Sequence, residues 1–322
     1  MLIKFSTLST LGNDMNLFSA ALTDRFISIT GPDAVKFLQG QASCDLNELG
    51  DDAYSYGTLN TPKGRMYCLF KIIKTDEGLL LSMNESLLES TLNKLSKYAV
   101  FFKCELKEDS SFEAYGITSE QNNSYQDFLS TTHLNQEVIL SCVKQNDDYW
   151  LNISSHKNLC EVWVKKASPK PSALSQCEQI STDQWLALET ICGIPELYES
   201  SQDEFILQFL NLQQLGAVSF KKGCYTGQEI IARMKFLGKQ KKQTYLLHSD
   251  KKSIQAPLAA IYNKEGSKCG TLIRSHWSEK TGSVSLCILP IASALTIGEV
   301  FISASLDVAF SVIEIDYSEF KK

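Results

Sequence analysis

From about residue 243 onward the chain breaks into short runs of β-favouring residues at near-even spacing, a pattern that few folds accept. The runs are Thr244-Tyr-Leu-Leu, Leu258-Ala-Ala-Ile-Tyr, Gly270-Thr-Leu-Ile, Val284-Ser-Leu-Cys-Ile-Leu, Val300-Phe-Ile-Ser and Val308-Ala-Phe-Ser-Val-Ile, with Gly, Asn and Ser between them. They predict a small closed barrel or sandwich. The residues before them mix two periods. Arg25-Phe-Ile-Ser-Ile reads as a strand running into Thr30-Gly-Pro-Asp, where Thr30 or Gly31 caps a helix through Phe37 and Leu38 and Pro32 sits in its first turn. Tyr67–Ile73 and Leu79–Met83 flank Thr75-Asp-Glu-Gly and predict a hairpin. Leu87, Leu88, Leu92, Leu95 and Tyr98 follow the three-and-four rhythm of one helical face. Residues 99–118 and 137–166 read as extended, 167–177 as a linker and 183–191 as a helix, while Phe205, Phe209, Leu212 and Leu215 suggest another buried helical stripe. The class is α+β: a mixed body over 1–240 built of two interleaved subdomains, and an all-β barrel over 241–322.

Charge and cysteine usage narrow the function. The formal charge is −6, which argues against a protein that coats nucleic acid non-specifically. Yet residues 221–252 hold nine basic groups against Glu229 and Asp250, so this stretch is +7 and the remainder −13. An anionic partner there is one reading; a solvated lysine surface is the other. The ten cysteines never come closer than the 15 positions from Cys177 to Cys192, and the four histidines form no HExxH or HxH pattern. No disulfide framework or metal site is expected. The Met1-Leu-Ile-Lys-Phe-Ser-Thr start lacks the pattern of a signal peptide, and no run of about 18 apolar residues occurs. The expected setting is the cytoplasm, without a membrane partner.

The most unusual segment is Val218-Ser-Phe-Lys-Lys-Gly-Cys-Tyr-Thr-Gly-Gln-Glu-Ile-Ile-Ala-Arg233. Gly223 and Gly227 bracket Cys224 and suit a tight loop or the close approach of a ligand. Lys221 and Lys222, with a helix starting near Thr226 or Gly227, favour thiolate and lower the cysteine from its free value of about 8.5. Cys224 is therefore the candidate reactive thiol, against the alternative of an inert buried cysteine, and Lys222 is its candidate catalytic partner. Tyr225, Gln228, Glu229 and Arg233 are candidate cofactor contacts, since a cleft would let these polar groups face a ligand.

The run Lys222-Gly-Cys-Tyr-Thr-Gly-Gln-Glu229, with Ala232 and Arg233, resembles the signature of the YgfZ family, relatives of the glycine-cleavage aminomethyltransferase. Gly31-Pro-Asp-Ala-Val-Lys-Phe-Leu-Gln-Gly-Gln41, Asp45, Thr61-Pro-Lys-Gly-Arg65 and Gly193-Ile-Pro195 ahead of Phe205-Ile-Leu-Gln208 agree in order and spacing. The resemblance implies a folate cavity, with tetrahydrofolate or a one-carbon derivative as cofactor. It also implies a role in maintaining iron–sulfur enzymes, notably those that thiomethylate tRNA. Trp185 resembles a folate-contacting tryptophan of the family; a second contact falls at Arg25 or Phe26. Two departures stand out. The aminomethyltransferases carry an acidic pair where this chain has Tyr67 and Cys68, and a pterin-holding glutamate where it has Ile191. Folate binding is therefore expected to rest on aromatic contact and charge. The alternatives are a true aminomethyl- or methyltransferase, and a non-catalytic module binding tRNA through 221–252 or a partner protein.

Overall fold

The structure, a computed structural model, describes residues 17–320 except 136 and 239. The first seven residues, read above for targeting, and Lys239 of the basic stretch lie outside the described residues. Two sheets form the body. One has five strands in the order Tyr54–Asn60, Met66–Thr75, Gly78–Met83, Arg25–Thr30 and Glu105–Glu108. The other has six, in the order Glu178–Gln179, Leu17–Ala21, Phe112–Ser119, Leu159–Lys165, Asp148–Ser154 and Cys142–Gln145. They share one hydrophobic core, in which the Phe26 ring on the first sheet packs 5.2 Å from Trp163 and 5.8 Å from Phe112 on the second. Six further strands between Lys242 and Ile313 close into a barrel, as the spacing of the short runs predicts.

The Thr75–Gly78 turn joins its hairpin as expected, pairing Thr75 with Gly78. The first helix starts later than the sequence suggests: it spans Ala34–Gln39 with Asp33 at the cap, because Gly31 at φ +104° and Pro32 form the preceding turn. Asn122–Thr132 is a helix within a stretch assigned no element above. The stripe at 205–215 is not one helix. Only Leu207–Leu210 form a short 3-10 turn, which Asn211 ends at φ +55°. Phe205, Leu212 and Leu215 are nonetheless buried and Phe209 packs partly buried against the core, so the apolar character of the stripe holds and its helical period does not.

One helix, Thr182–Ile191, lies where the body meets the barrel. Ser181 and Gln184 form a capping box at its start, which fixes its first turn. Its far end is held by Arg274, a fully buried guanidinium on the barrel strand Lys268–Ser278. Arg274 donates to the Ile194 carbonyl at 3.1 Å and the Leu186 carbonyl at 3.3 Å, and lies 3.4 Å from the Glu189 carboxylate. Its Nε donates to Nε2 of His276 at 3.2 Å, so the imidazole must be neutral to accept. Burial, and then the charge of Arg274, push His276 down to about 3. In the unfolded chain it takes a proton near its ordinary 6.5. This histidine's contribution is therefore complete above about pH 6.5 and is lost as the pH falls toward 3, by an amount on the order of a few kcal/mol. Glu196 and Glu161 act in the opposite direction, because burial raises them to about 8 and about 7. The informative quantity is therefore the difference between wild type and His276→Gln in urea unfolding. It should narrow from pH 7 to pH 4, and a difference independent of pH would contradict the buried neutral imidazole.

Candidate functional site: a carboxylate-lined cavity and an exposed thiol hairpin

Trp185 and Glu189 stand four residues apart on the helix Thr182–Ile191 and so share a face. Both line a cavity of about 60 Å³, together with Asp24, Tyr56, Lys71 and Glu196. The indole lies against the strand Phe112–Ser119 at Gly116, where an added Cβ would come 2.3 Å from the ring. Gly116 is glycine because the tryptophan occupies the space of its side chain. The indole Nε1 and the Tyr56 hydroxyl are buried and have no hydrogen-bond partner. Such orphaned polar groups are costly in a closed protein, and a ligand with matching groups would relieve them.

The charges around the cavity are unbalanced. Lys71 is paired with Glu161, stands 3.9 Å from Glu189, and is held charged above its usual range by Glu161, Asp24 and Glu189 in spite of its burial. Arg274 takes Glu189 and lies 3.8 Å from Glu196. Two cations thus face four carboxyl groups: Asp24, Glu161, Glu189 and Glu196. Burial, opposed by Lys71, raises Asp24 above the usual carboxylate range; among the described residues no cation lies within 4 Å of it, and its Oδ1 accepts from Ser82 at 3.0 Å.

The Cys224 segment forms a separate site. After Phe220 the chain runs back along the helix Gln228–Phe236, whose cap is Gly227 at φ +85°. The Phe220 and Phe236 rings meet at 6.1 Å, with the Lys235 ammonium 3.7 Å over Phe220. On this hairpin Lys221, Gly223, Cys224, Glu229, Arg233, Lys235, Phe236 and Leu237 are exposed, whereas Lys222, Tyr225 and Ile231 point inward. Cys224 alone among the ten cysteines is exposed. Three of the blocks that resemble the YgfZ signature meet here. An added Cβ on Gly227 would come 2.6 Å from the Thr61 carbonyl, and one on Gly64 would come 2.9 Å from Ile230. The Thr226 amide donates to the Gly40 carbonyl at 3.3 Å.

Several expectations need correction. Lys222 is not free to serve the thiol: its ammonium donates to the carbonyls of Gln39, Ala42 and Cys44 at 2.7, 2.9 and 2.7 Å, using all three protons to fasten the first helix's end. Burial pulls it down to about 8. Arg25 is exposed and pairs with Glu108, and Phe26 is core, so neither reaches the cavity; their neighbour Asp24 does. Tyr225 is buried with Lys222 5.2 Å over its ring, and Gln228 donates to the Lys222 carbonyl at 3.5 Å. Neither these two nor Glu229, Arg233 and Cys224 line the cavity beside Trp185. Ile191, Tyr67 and Cys68 are buried outside it, and the carboxylates come instead from Asp24, Glu189 and Glu196. The four-residue spacing from Trp185 was an available signal for Glu189 alone.

No protein-family model matches the chain. Over 294 residues it is 29% identical to the tRNA-modifying protein YgfZ of Aliivibrio fischeri (strain MJ11), covering 89% of this chain and 90% of that relative. The similarity to that relative runs along nearly the whole chain. Its fold is that of the glycine cleavage system aminomethyltransferase T from Bartonella henselae, with a TM-score of 0.74, 17% identity and coverage of 95% of this chain and 87% of that one. Among the described residues no helix is long and apolar enough to cross a membrane.

Two outcomes follow for the Cys224 hairpin. Brief treatment of the native protein with iodoacetamide at neutral pH, followed by peptide mapping, should modify Cys224 before the other nine cysteines; early modification elsewhere would contradict its unique exposure. Lys222→Met should destabilise the protein by about 2–4 kcal/mol in urea unfolding, because it strands buried carbonyls, whereas Lys221→Met should stay within about 0.5 kcal/mol.

Proposed function

We propose that this protein is a folate-binding accessory factor for tRNA modification in the cytoplasm. The cavity takes the pterin, and the Cys224 hairpin faces the client. The observation that carries this reading is the cavity wall: an indole flat against Gly116 with an unpartnered N–H, facing carboxyl groups in excess of their cations. A pterin ring asks for that combination of a flat apolar contact and a few polar partners. The fold is shared with an aminomethyltransferase, and the relative's name points to tRNA.

Trp185 would hold the ring, while Asp24, Glu189 and Glu196 would accept from its N–H groups and Tyr56 would add a hydroxyl. Bound tetrahydrofolate supplies a carrier for one-carbon units. At about 60 Å³ the free space holds only a few waters, so the ring would enter only with lining side chains such as Met83 displaced. Lys221, Arg233, Lys235, Lys241 and Lys242 are exposed around the thiol hairpin, where they would meet tRNA phosphates or an acidic face of an iron–sulfur enzyme. The resemblance to YgfZ favours iron–sulfur enzymes that thiomethylate tRNA as clients. The carboxylates in the cavity keep aminomethyl transfer as the second reading, since they stand ready for the proton transfers that Tyr67 and Cys68 cannot perform.

Calorimetry with tetrahydrofolate tests the cavity. Wild type should bind, Trp185→Phe should bind roughly tenfold more weakly through loss of ring area and the N–H, and Arg25→Ala should match wild type. Absence of binding to wild type, or equal binding by Trp185→Phe, would remove the cavity from the function.

A further inference from the structure

Resting on the reading that the Cys224 hairpin faces a tRNA client, we propose that this surface takes unpaired RNA, its cations on the phosphates and one unpaired base stacked on Phe236. The helix Gln228–Phe236 ends in two large apolar side chains left in solvent: Phe236 is 66% exposed and Leu237 84%. A ring in water at a helix end has little reason to hold one orientation, yet this one is braced. Phe220 meets it edge to face at 6.1 Å and 80°. The Lys235 ammonium stands 3.7 Å over Phe220 and 5.5 Å over Phe236. A braced, mostly exposed ring beside a cation is a stacking platform, since every base has a π-face and stacking asks for no particular edge.

The charge around the ring decides between RNA and a protein. Lys221, Arg233, Lys235, Lys241 and Lys242 are exposed here, against Glu229 as the one carboxylate of residues 221–242. Among the described residues none of these five cations lies within 4 Å of a carboxyl group. Lysine is depleted from the centres of protein interfaces, because an ammonium covered there loses its water. An apolar anchor ringed by lysine is therefore poorly placed for a protein partner. The same cations suit a polyanion, whose phosphates stay at the wet rim while a base is set on the ring. A base inside a duplex is already stacked on both faces, so the partner offers a loop or a single strand.

The test is fluorescence anisotropy on the full chain at about 0.1 M salt. The probes are a labelled single-stranded RNA of about 12 nucleotides without self-complementarity, and the same strand annealed to its complement. The duplex carries its phosphates more densely, so charge alone favours it. Wild type should nevertheless bind the single strand at least about fivefold more tightly. Phe236→Ala should weaken single-strand binding roughly tenfold and leave duplex binding within about twofold, and Phe236→Trp should retain the preference. Arg233→Ala should weaken both forms alike and reduce the slope of log affinity against log salt by about 0.7–0.9. A wild type that does not prefer the single strand, or a preference that survives Phe236→Ala, overturns this inference and leaves tRNA contact by the hairpin standing. A wild type that binds neither RNA overturns both and turns the surface to a protein client; tetrahydrofolate calorimetry then decides the cavity by itself.

Discussion

The arrangement depends on a chain of buried charges that reaches every part of the molecule. Lys71 on the five-stranded sheet meets Glu161 on the six-stranded sheet, approaches Glu189 on the helix Thr182–Ile191, and Glu189 meets Arg274 on the barrel. Each member is buried, so removing one leaves its neighbour an uncompensated charge at a cost of about 3–5 kcal/mol. Replacing all of them by apolar groups could be as stable, and this is informative: the charges do more to set position than to add stability. They hold one face of one helix toward the space between the sheets, and that face carries Trp185 and Glu189.

The second site is joined to the first by covalent structure rather than by proximity. Along the strand Tyr54–Asn60, Tyr56 lines the cavity, Thr58 bonds Ser43 at 2.9 Å, and Asn60 lies under Gly227 at the start of the thiol hairpin's helix. Four residues of strand separate Tyr56 from Asn60, or about 13 Å. Every residue on this face of the strand is buried. One buried strand face thus runs from the cavity to the base of the hairpin, although the two sites share no wall.

How much of this was legible depended on the range of the interactions. The barrel was readable because alternation is local and six runs repeat it. The hairpin after Thr75 and the helix around Trp185 were readable for the same reason. The stripe at 205–215 misled because burial in irregular turns needs apolar residues but no period, and Asn211 in a left-handed conformation interrupts any helix there. At the site, Cys224 could be singled out from its flanking glycines, but Lys222 beside it could not be assigned. Adjacent residues in a loop point to opposite sides, and its carbonyl partners lie about 180 residues away. The ion chain was invisible for that reason too, since Lys71 and Glu161 are 90 positions apart. Asp24 was missed because its place in the cavity wall comes from contacts with residues far along the chain, such as Ser82, which no single segment reveals.

The slot at Gly116 has a consequence for how this wall of the cavity can vary. The indole and the glycine fill one volume between them, with 2.3 Å where a methyl group would need to stand. Neither can therefore be altered gradually. A larger residue at 116 is blocked while the tryptophan is present, and a smaller ring at 185 opens a gap that the glycine cannot close. Diversification that changes one position at a time will find both residues fixed, and a new ring-binding wall here is reachable only by exchanging the two together.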